Sequence, residues 1–186
     1  MLNVIVFVAG SAGGSLLLFL PNTYRPALSR VYRFLAFEAL LGLALLARGR
    51  WFVDPLSAPE VISWAFWMAG LAVGLLAAVQ WPTSHPARTP VAAASEEPPI
   101  LPPPRGIYRR VRHPFYGAAL LAGWGVFAQS LMPFDDAILI YALLLTGASL
   151  FLVSAARADE TADYLKFGSP YALYARSSKM LIPFIL

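Results

Sequence analysis

The sequence predicts an all-α, polytopic membrane protein with about five transmembrane helices. Its mean hydropathy is +0.64, and only 13% of its 186 residues are charged, whereas a soluble domain carries about a quarter. The apolar residues also gather into runs of roughly bilayer-spanning length. The net charge of +4 is no sign of nucleic-acid binding, because the basic residues of a membrane protein belong to the loops between its spans.

The five predicted spans are separated by short polar or proline-containing segments. Pro21 ends the first span, and Gly10, Gly13 and Gly14 within it indicate close contact with another helix. Glu38 lies in the middle of the second span, where a carboxylate is costly and implies a partner in the bundle, a polar cavity or a gap through which a substrate enters. The predicted spans are residues 2–20, 31–47, 61–81, 114–131 and 137–156.

Three regions follow from this division. Residues 1–81 form an N-terminal three-helix membrane region, residues 82–104 form a linker, and residues 105–186 form a helical hairpin with a tail. The linker contains eight prolines, a composition that favours an extended cytoplasmic chain. The sequence has no cysteine, which excludes thiolate metal sites. The two histidines, His85 and His113, are far apart in the chain, so no metal site is expected.

The basic residues predict the orientation of the protein in its membrane. With the linker and the C-terminal tail in the cytoplasm, only Arg48 and Arg50 of the 14 basic residues lie outside, as the positive-inside rule requires. The tail is then expected to form a cytoplasmic interfacial helix over the ends of the last two spans. The small size and the lack of a recognisable targeting signal suggest a bacterial inner membrane.

A basic stretch at residues 105–117 precedes the fourth span. It holds four arginines and His113. Pro114 disfavours an α conformation for the residue before it, so the helix is expected to begin at Pro114. The free N–H groups of that first turn, with Arg112 and His113 beside them, suit a carboxylate or phosphate. The alternative is a positive-inside anchor that touches the headgroups of membrane lipids.

A second polar cluster follows the fifth span. Asp159, Glu160 and Asp163 come first, and an aromatic stripe at helical spacing then includes Tyr164 and Tyr171. The alternative here is an interfacial amphipathic helix with solvated acids. Because only a short hairpin separates the two clusters, we expect them to be neighbours. Together they suit a ligand that carries an anion, a cation and a flat ring.

These residues resemble the isoprenylcysteine carboxyl methyltransferase family of integral membrane methyltransferases. The resemblance covers about residues 105–183, and its parts are an Arg-His-Pro-x-Tyr segment, an acidic pair, Phe-Gly, two tyrosines three apart and a late proline. They stand here as Arg112-His-Pro-Phe-Tyr116, Asp159-Glu160, Phe167-Gly168, Tyr171, Tyr174 and Pro183.

The resemblance implies S-adenosylmethionine as the methyl donor. It assigns cofactor binding to the start of the fourth span and to the acids and aromatic residues after the fifth, and it makes Arg157 and Glu160 the expected catalytic residues. Arg157 would orient an anionic acceptor. The cofactor-binding residues are expected to be Arg112, His113, Pro114, Tyr116, Gly117, Glu160 and Tyr164.

The expected acceptor is a lipophilic small molecule or a lipid-tailed one, with a carboxylate favoured. Methyl transfer from a sulfonium cation to a carboxylate anion gives a neutral ester and a neutral thioether, so it needs no general base. An amine acceptor would require a proton acceptor, for which Asp159 or Glu160 is available. Two other functions stay open. One is an NADPH-dependent membrane reductase of the sterol-reductase type, and the other is a non-enzymatic membrane subunit.

Overall fold

A computed structural model of the protein describes residues 2–19, 26–84 and 104–182. Within these residues 82% of the chain is helical and no strand occurs. The α-helices of the described ranges are α1 (Leu2–Phe19), α2 (Ala27–Ala47), α3 (Ala58–Ser84), α4 (Pro114–Gln129), α5 (Ala137–Phe167) and α6 (Ser169–Ser177). Short 3₁₀ turns, Arg48–Arg50 and Gly106–Arg109, follow α2 and precede α4.

The predicted start of α4 at Pro114 is confirmed, with His113 as its N-cap residue. The predicted fifth span, residues 137–156, lies within α5, and the helix continues beyond it to Phe167. Residues 157–167 contain neither glycine nor proline, so nothing interrupts the helix as it becomes polar. Gly168, at φ +62°, then ends α5, and α6 begins with Pro170 in its first turn. The predicted break at these two residues is confirmed.

Two described helices are long and apolar enough to cross a bilayer. They are residues 58–81 of α3, a stretch of 24 residues, and α5 with 31 residues. The outer face of α3 exposes large apolar side chains, including Met68 at 61% and Leu71 at 56%. Contiguous exposed apolar surface of this kind is typical of a protein that contacts lipid. The described residues therefore form an all-helical protein with two candidate membrane-spanning helices.

The helices pack in two principal pairs, α2 with α5 and α3 with α4, while α4 also contacts α2 and α5. Small residues allow the close approach of α3 to α4. A methyl group added at Gly70 would lie 3.1 Å from the carbonyl oxygen of Ala118, and the indole of Trp67 lies directly over Gly125. Among the described helices, α1 packs mainly against α2.

Glu38 has a partner within the bundle. Ser11 on α1 donates a hydrogen bond of 2.6 Å to its Oε2 atom, whereas its buried Oε1 atom has no hydrogen-bond partner. Of the alternatives that the sequence left open for this carboxylate, the structure thus shows contact with another helix. The linker from residue 85 to residue 103, with His85, lies outside the described residues.

Candidate functional site

The basic stretch before α4 and the segment after α6 are held together by backbone hydrogen bonds. Val111 and Lys179 form an isolated parallel bridge. The N–H of Arg112 donates to the Lys179 carbonyl at 2.9 Å, and the N–H of His113 donates to the Met180 carbonyl at 2.9 Å. The chain therefore returns after α6 to the start of α4, and the two predicted clusters lie side by side.

Gly117 allows the returning segment to lie directly on the first turn of α4. A Cβ atom at this position would collide with the carbonyl oxygen of Leu181, so no larger residue fits without a shift of backbone. The sequence predicted an anion at this turn. The protein's own C-terminal segment covers part of this first turn. The side chains of Arg112 and His113 are then the groups available to a ligand.

Arg112 joins three elements through one guanidinium group. Its Nε atom lies 2.6 Å from Oε1 of Glu160 on α5. Its NH1 group donates to the carbonyl oxygens of Ala175 at 2.8 Å and Ser178 at 2.5 Å. Carbonyl groups at the end of a helix have no partner within the helix, so Arg112 satisfies the C-terminus of α6. The two charged side chains are only 11% and 14% exposed, which makes this an ion pair shielded from water.

His113 stands beside the same carboxylate. Its Nε2 atom is 3.5 Å from Oε1 of Glu160 and is buried, and no described residue forms a hydrogen bond with it. The imidazole ring is stacked on Tyr116, with centroids 5.4 Å apart and an angle of 5° between the planes. Buried polar atoms of folded proteins are nearly always hydrogen-bonded. The Nε2 atom therefore marks a position where a ligand could supply the missing partner.

The two neighbouring acids face different partners. The hydroxyl of Tyr116 donates to Oδ2 of Asp159 at 2.8 Å, and Asp159 is only 2% exposed. Glu160, one residue later, turns towards Arg112 and His113. Asp159 therefore anchors the ring that stacks on His113, while Glu160 holds the charged centre of the site.

Three tyrosines line α6 and the end of α5. The ring of Tyr171 meets Tyr164 edge-on at 4.8 Å and Tyr174 at 5.9 Å, and the hydroxyl of Tyr174 donates to the Tyr108 carbonyl at 2.5 Å. Burial, with smaller effects of Glu160 and Asp163, raises the pKa of Tyr171. Burial also raises the pKa of Tyr174 to about 12. Both phenols are therefore neutral at physiological pH.

Arg157 and Tyr164 are at the edge of the site. Arg157 lies one helical turn before Glu160, is exposed, and its guanidinium makes no hydrogen bond or ion pair to the described residues. Tyr164 is 42% exposed. Pro114 is fully buried at the start of α4. Pro183 lies outside the described residues.

An apolar cleft of about 650 Å³ lies between α2, α3 and α4. Its wall on α4 runs from Ala118, next to Gly117, to Val126 near the other end of that helix. Phe37 and Leu41 on α2 and Trp67 on α3 also line it. The cleft therefore starts close to the Arg112 site and continues along the helices.

The sequence did not predict which residues of the site contact each other. Arg112 and Glu160 are 48 residues apart, and no local spacing connects them. The sequence did single out both residues, because each belongs to a cluster of polar groups next to an apolar run. The binding of Arg112 to the carbonyls at the end of α6 had no sequence signal, since any residue type supplies a carbonyl.

Comparison with known proteins identifies one family. A model for a family described as proteins of unknown function, DUF1295, matches residues 36–178, which is most of the chain. No curated protein and no solved structure matches the sequence. The chain therefore belongs to the DUF1295 family.

Proposed function

We propose that the protein transfers a methyl group from S-adenosylmethionine to a lipidic or lipid-tailed acceptor, with a carboxylate favoured. The observation that carries this proposal is the shielded ion pair of Arg112 and Glu160 beside the unpartnered Nε2 atom of His113. Opposite charges, an unused polar atom and aromatic rings at one place suit a ligand with a zwitterionic end and a flat base.

The residues of the site fit this cofactor by their chemistry. Arg112 offers N–H groups to a carboxylate, Glu160 offers acceptor oxygens to an ammonium group, and His113 offers the buried Nε2 atom. The ring of Tyr164, 42% exposed, offers an aromatic face to an adenine. S-adenosylmethionine, when bound, supplies a methyl group on a positively charged sulfur.

The remaining predicted residues position these groups. Pro114 starts α4 and leaves His113 at the N-cap position. Gly117 admits the C-terminal segment, which in turn orients the backbone at Arg112 and His113. Tyr116 holds the imidazole by stacking and is itself held by Asp159. Positioning of this kind is the main contribution that an enzyme makes to a direct group transfer.

Arg157 is proposed to orient the acceptor. Its exposed guanidinium, one helical turn from Glu160, has no protein partner among the described residues, so it is available to a carboxylate. A carboxylate and a sulfonium become two neutral products, and a site with little water favours that loss of charge. Arg157→Lys should lower turnover although the charge is kept, because the planar fork that matches a carboxylate is lost.

The acceptor's tail is proposed to occupy the cleft between α2, α3 and α4. The cleft is lined by apolar side chains and begins near Gly117, so a tail within it would leave the polar end of the acceptor near the site. A tail that arrives from lipid is already out of water, so the cleft contributes orientation more than affinity. Two acceptors that differ only in an alkyl chain, compared with labelled cofactor at equal bulk concentration, test this. Equal rates would contradict it.

The proposed topology has five spans, with the site at the cytoplasmic face of a bacterial inner membrane. Two exposed positions at opposite ends of the bundle test the orientation, namely Val53, which is 75% exposed, and Lys179. Cysteine placed at Lys179 should react with an impermeant thiol reagent only after the membrane is opened. Cysteine at Val53 should react in intact cells. Since the chain has no native cysteine, the labelling is unambiguous, and the reverse pattern would contradict the topology.

The first experiment is a titration of the purified protein with S-adenosylmethionine and, separately, with NADPH. We expect the first ligand to bind and His113→Ala to weaken its binding by at least tenfold, while Arg88→Ala in the linker has little effect. Binding of NADPH alone would favour the reductase function instead. Binding of neither ligand would favour a non-enzymatic subunit.

A further inference from the structure

We propose that the opposite end of the bundle binds a primary ammonium group, as an aminophospholipid headgroup carries, with Glu60 as its counter-ion. This end consists of the turn at Arg48–Ser57, the start of α3 and the end of α4. Its polar groups take no part in the proposed methyl transfer, although Trp67 also lines the apolar cleft, and the inference does not depend on that function.

Glu60 is a buried carboxylate whose protein partners are uncharged. It is 3% exposed. Its Oε1 atom accepts the N–H of Phe52 at 2.8 Å, and its Oε2 atom accepts Nε2 of Gln129 at 2.8 Å. No ion pair joins it to a described residue, and Arg50 in the adjacent turn pairs with Asp135 instead. A buried carboxylate without a cation is costly, and the described residues supply no counter-ion here.

Two further buried oxygen atoms near this carboxylate have no hydrogen-bond partner in the part of the chain that the structure describes. One is Oε1 of Gln129, whose side chain is 2% exposed and already touches Glu60. The other is Oγ of Ser63, which is fully buried one helical turn after Glu60. A primary ammonium has three N–H donors, and three side chains here offer acceptors. A hard metal cation takes about six or more oxygen ligands, which is more than these side chains provide.

Four aromatic rings form a cluster at the turn before α3 and in its first turns. Phe52 lies 5.5 Å from Trp64 and 5.8 Å from Trp67, and Trp51 lies 6.1 Å from Trp67, measured between ring centroids. Aromatic faces attract ammonium groups. The buried Nε1 atom of Trp51 has no hydrogen-bond partner within the described ranges. It is a donor and suits a phosphate oxygen, so the cluster offers partners to both charges of a phosphoethanolamine headgroup.

The cluster is placed where a lipid headgroup could reach it. Phe52 and Trp64 are 44% and 42% exposed, and the lipid-facing side of α3 begins beside them with Ile62, which is 50% exposed. Phe52 also has φ at +58°, a conformation that is strained for a residue with a side chain. Because its N–H is a donor to Glu60, release of Phe52 would free a carboxylate oxygen and relieve that strain.

The test uses the full chain in detergent micelles with added phosphatidylethanolamine, phosphatidylcholine or phosphatidylglycerol of identical acyl chains. We expect phosphatidylethanolamine to raise the temperature of unfolding more than the other two lipids do. Glu60→Gln should weaken its binding by at least tenfold. Asp54→Asn, which removes an exposed acid from the same turn, should leave its binding within about twofold of the wild type. Stabilisation by free phosphoethanolamine at the same concentration would assign the same site to a soluble amine.

Equal stabilisation by the three lipids, or undiminished phosphatidylethanolamine binding by Glu60→Gln, would overturn the proposal. If Glu60→Gln does not fold, Ser63→Ala decides, because that hydroxyl has no partner whose loss could unfold the protein. We expect Ser63→Ala to fold normally and to weaken phosphatidylethanolamine binding by at least threefold. Wild-type binding by Ser63→Ala would then overturn the proposal.

Discussion

The two ends of the helical bundle are each held by an arginine, but they use it differently. Arg112 pairs with Glu160 and binds the carbonyls at the end of α6, with both charges shielded from water. Arg50 pairs with Asp135 and binds the carbonyls of Ser130 and Pro133 after α4. Asp135, however, is 47% exposed. An arginine–carboxylate pair is thus shielded from water at one end of the bundle and partly exposed to water at the other.

This difference fits the proposed cofactor site around Arg112 and a structural role for the Arg50–Asp135 pair. At the Arg50 end, water can solvate Asp135 if Arg50 is removed. The pair therefore serves to connect the end of α2 with the turn after α4. At the Arg112 end, removal of the arginine would strand Glu160 away from water beside His113. Because Arg112 and Glu160 each need a counter-ion, a charged group of a ligand can take the place of either partner. The proposed cofactor site requires such an exchange.

The largest effect is expected for Arg112→Ala. It should lower the free energy of unfolding by about 4 kcal/mol, because a shielded carboxylate loses its counter-ion and α6 loses its C-terminal partner. Binding of S-adenosylmethionine should fall below detection. Thermal unfolding in micelles and a ligand titration measure the two effects. Arg112→Lys should recover part of the stability but little of the binding, since a lysine cannot reproduce the fork. Wild-type stability of Arg112→Ala would refute the distinction between the two ends.

The next largest effect is expected for Gly117→Ala. The added methyl group collides with the Leu181 carbonyl, so the C-terminal segment must move, at a cost of about 2–3 kcal/mol. Gly147→Ala on α5 is the matched control, because nothing lies within 4 Å of its added methyl group, and it should change stability by less than about 1 kcal/mol. Limited proteolysis should cleave the C-terminal segment faster in Gly117→Ala alone. Equal behaviour of the two variants would show that the segment is not seated on α4.

Arg50→Ala should cost about 2 kcal/mol, because the carbonyls of Ser130 and Pro133 lose a charged donor while Asp135 becomes solvated. Its affinity for S-adenosylmethionine should stay within about twofold of the wild type, as measured by the same titration. A large loss of affinity in this variant would mean that the two ends are coupled, and the comparison would fail.

The smallest effects are expected for two tyrosines, one at each end. Tyr116→Phe removes a hydrogen bond of 2.8 Å to the buried Asp159 and should cost about 1–1.5 kcal/mol. Tyr141→Phe removes a bond of 3.4 Å to the Leu46 carbonyl, which is long enough that the cost should be less than about 0.5 kcal/mol. Unfolding temperatures under identical conditions compare them, and a larger loss for Tyr141→Phe would reverse the expected order.

The sequence alone determined the helical class, the start of α4 and the break between α5 and α6. Each of these depends on neighbours in the chain. Apolar runs specify helices that avoid water, Pro114 restricts the residue before it, and Gly168 with Pro170 ends one helix and begins another. The continuity of α5 from the fifth span into residues 157–167 was missed, because polar residues that follow an apolar run without a proline or glycine do not mark a helix end.

The tertiary structure decided which polar residues contact each other. Arg112 and Glu160 are separated by 48 residues, Glu60 and Gln129 by 69, and Arg50 and Asp135 by 85. No periodicity spans such distances, and a charge in a sequence does not show whether its partner is a side chain, a backbone carbonyl or water. That choice follows from the depth at which each group is buried and from the return of the chain after α6 to the start of α4, which only the folded protein specifies.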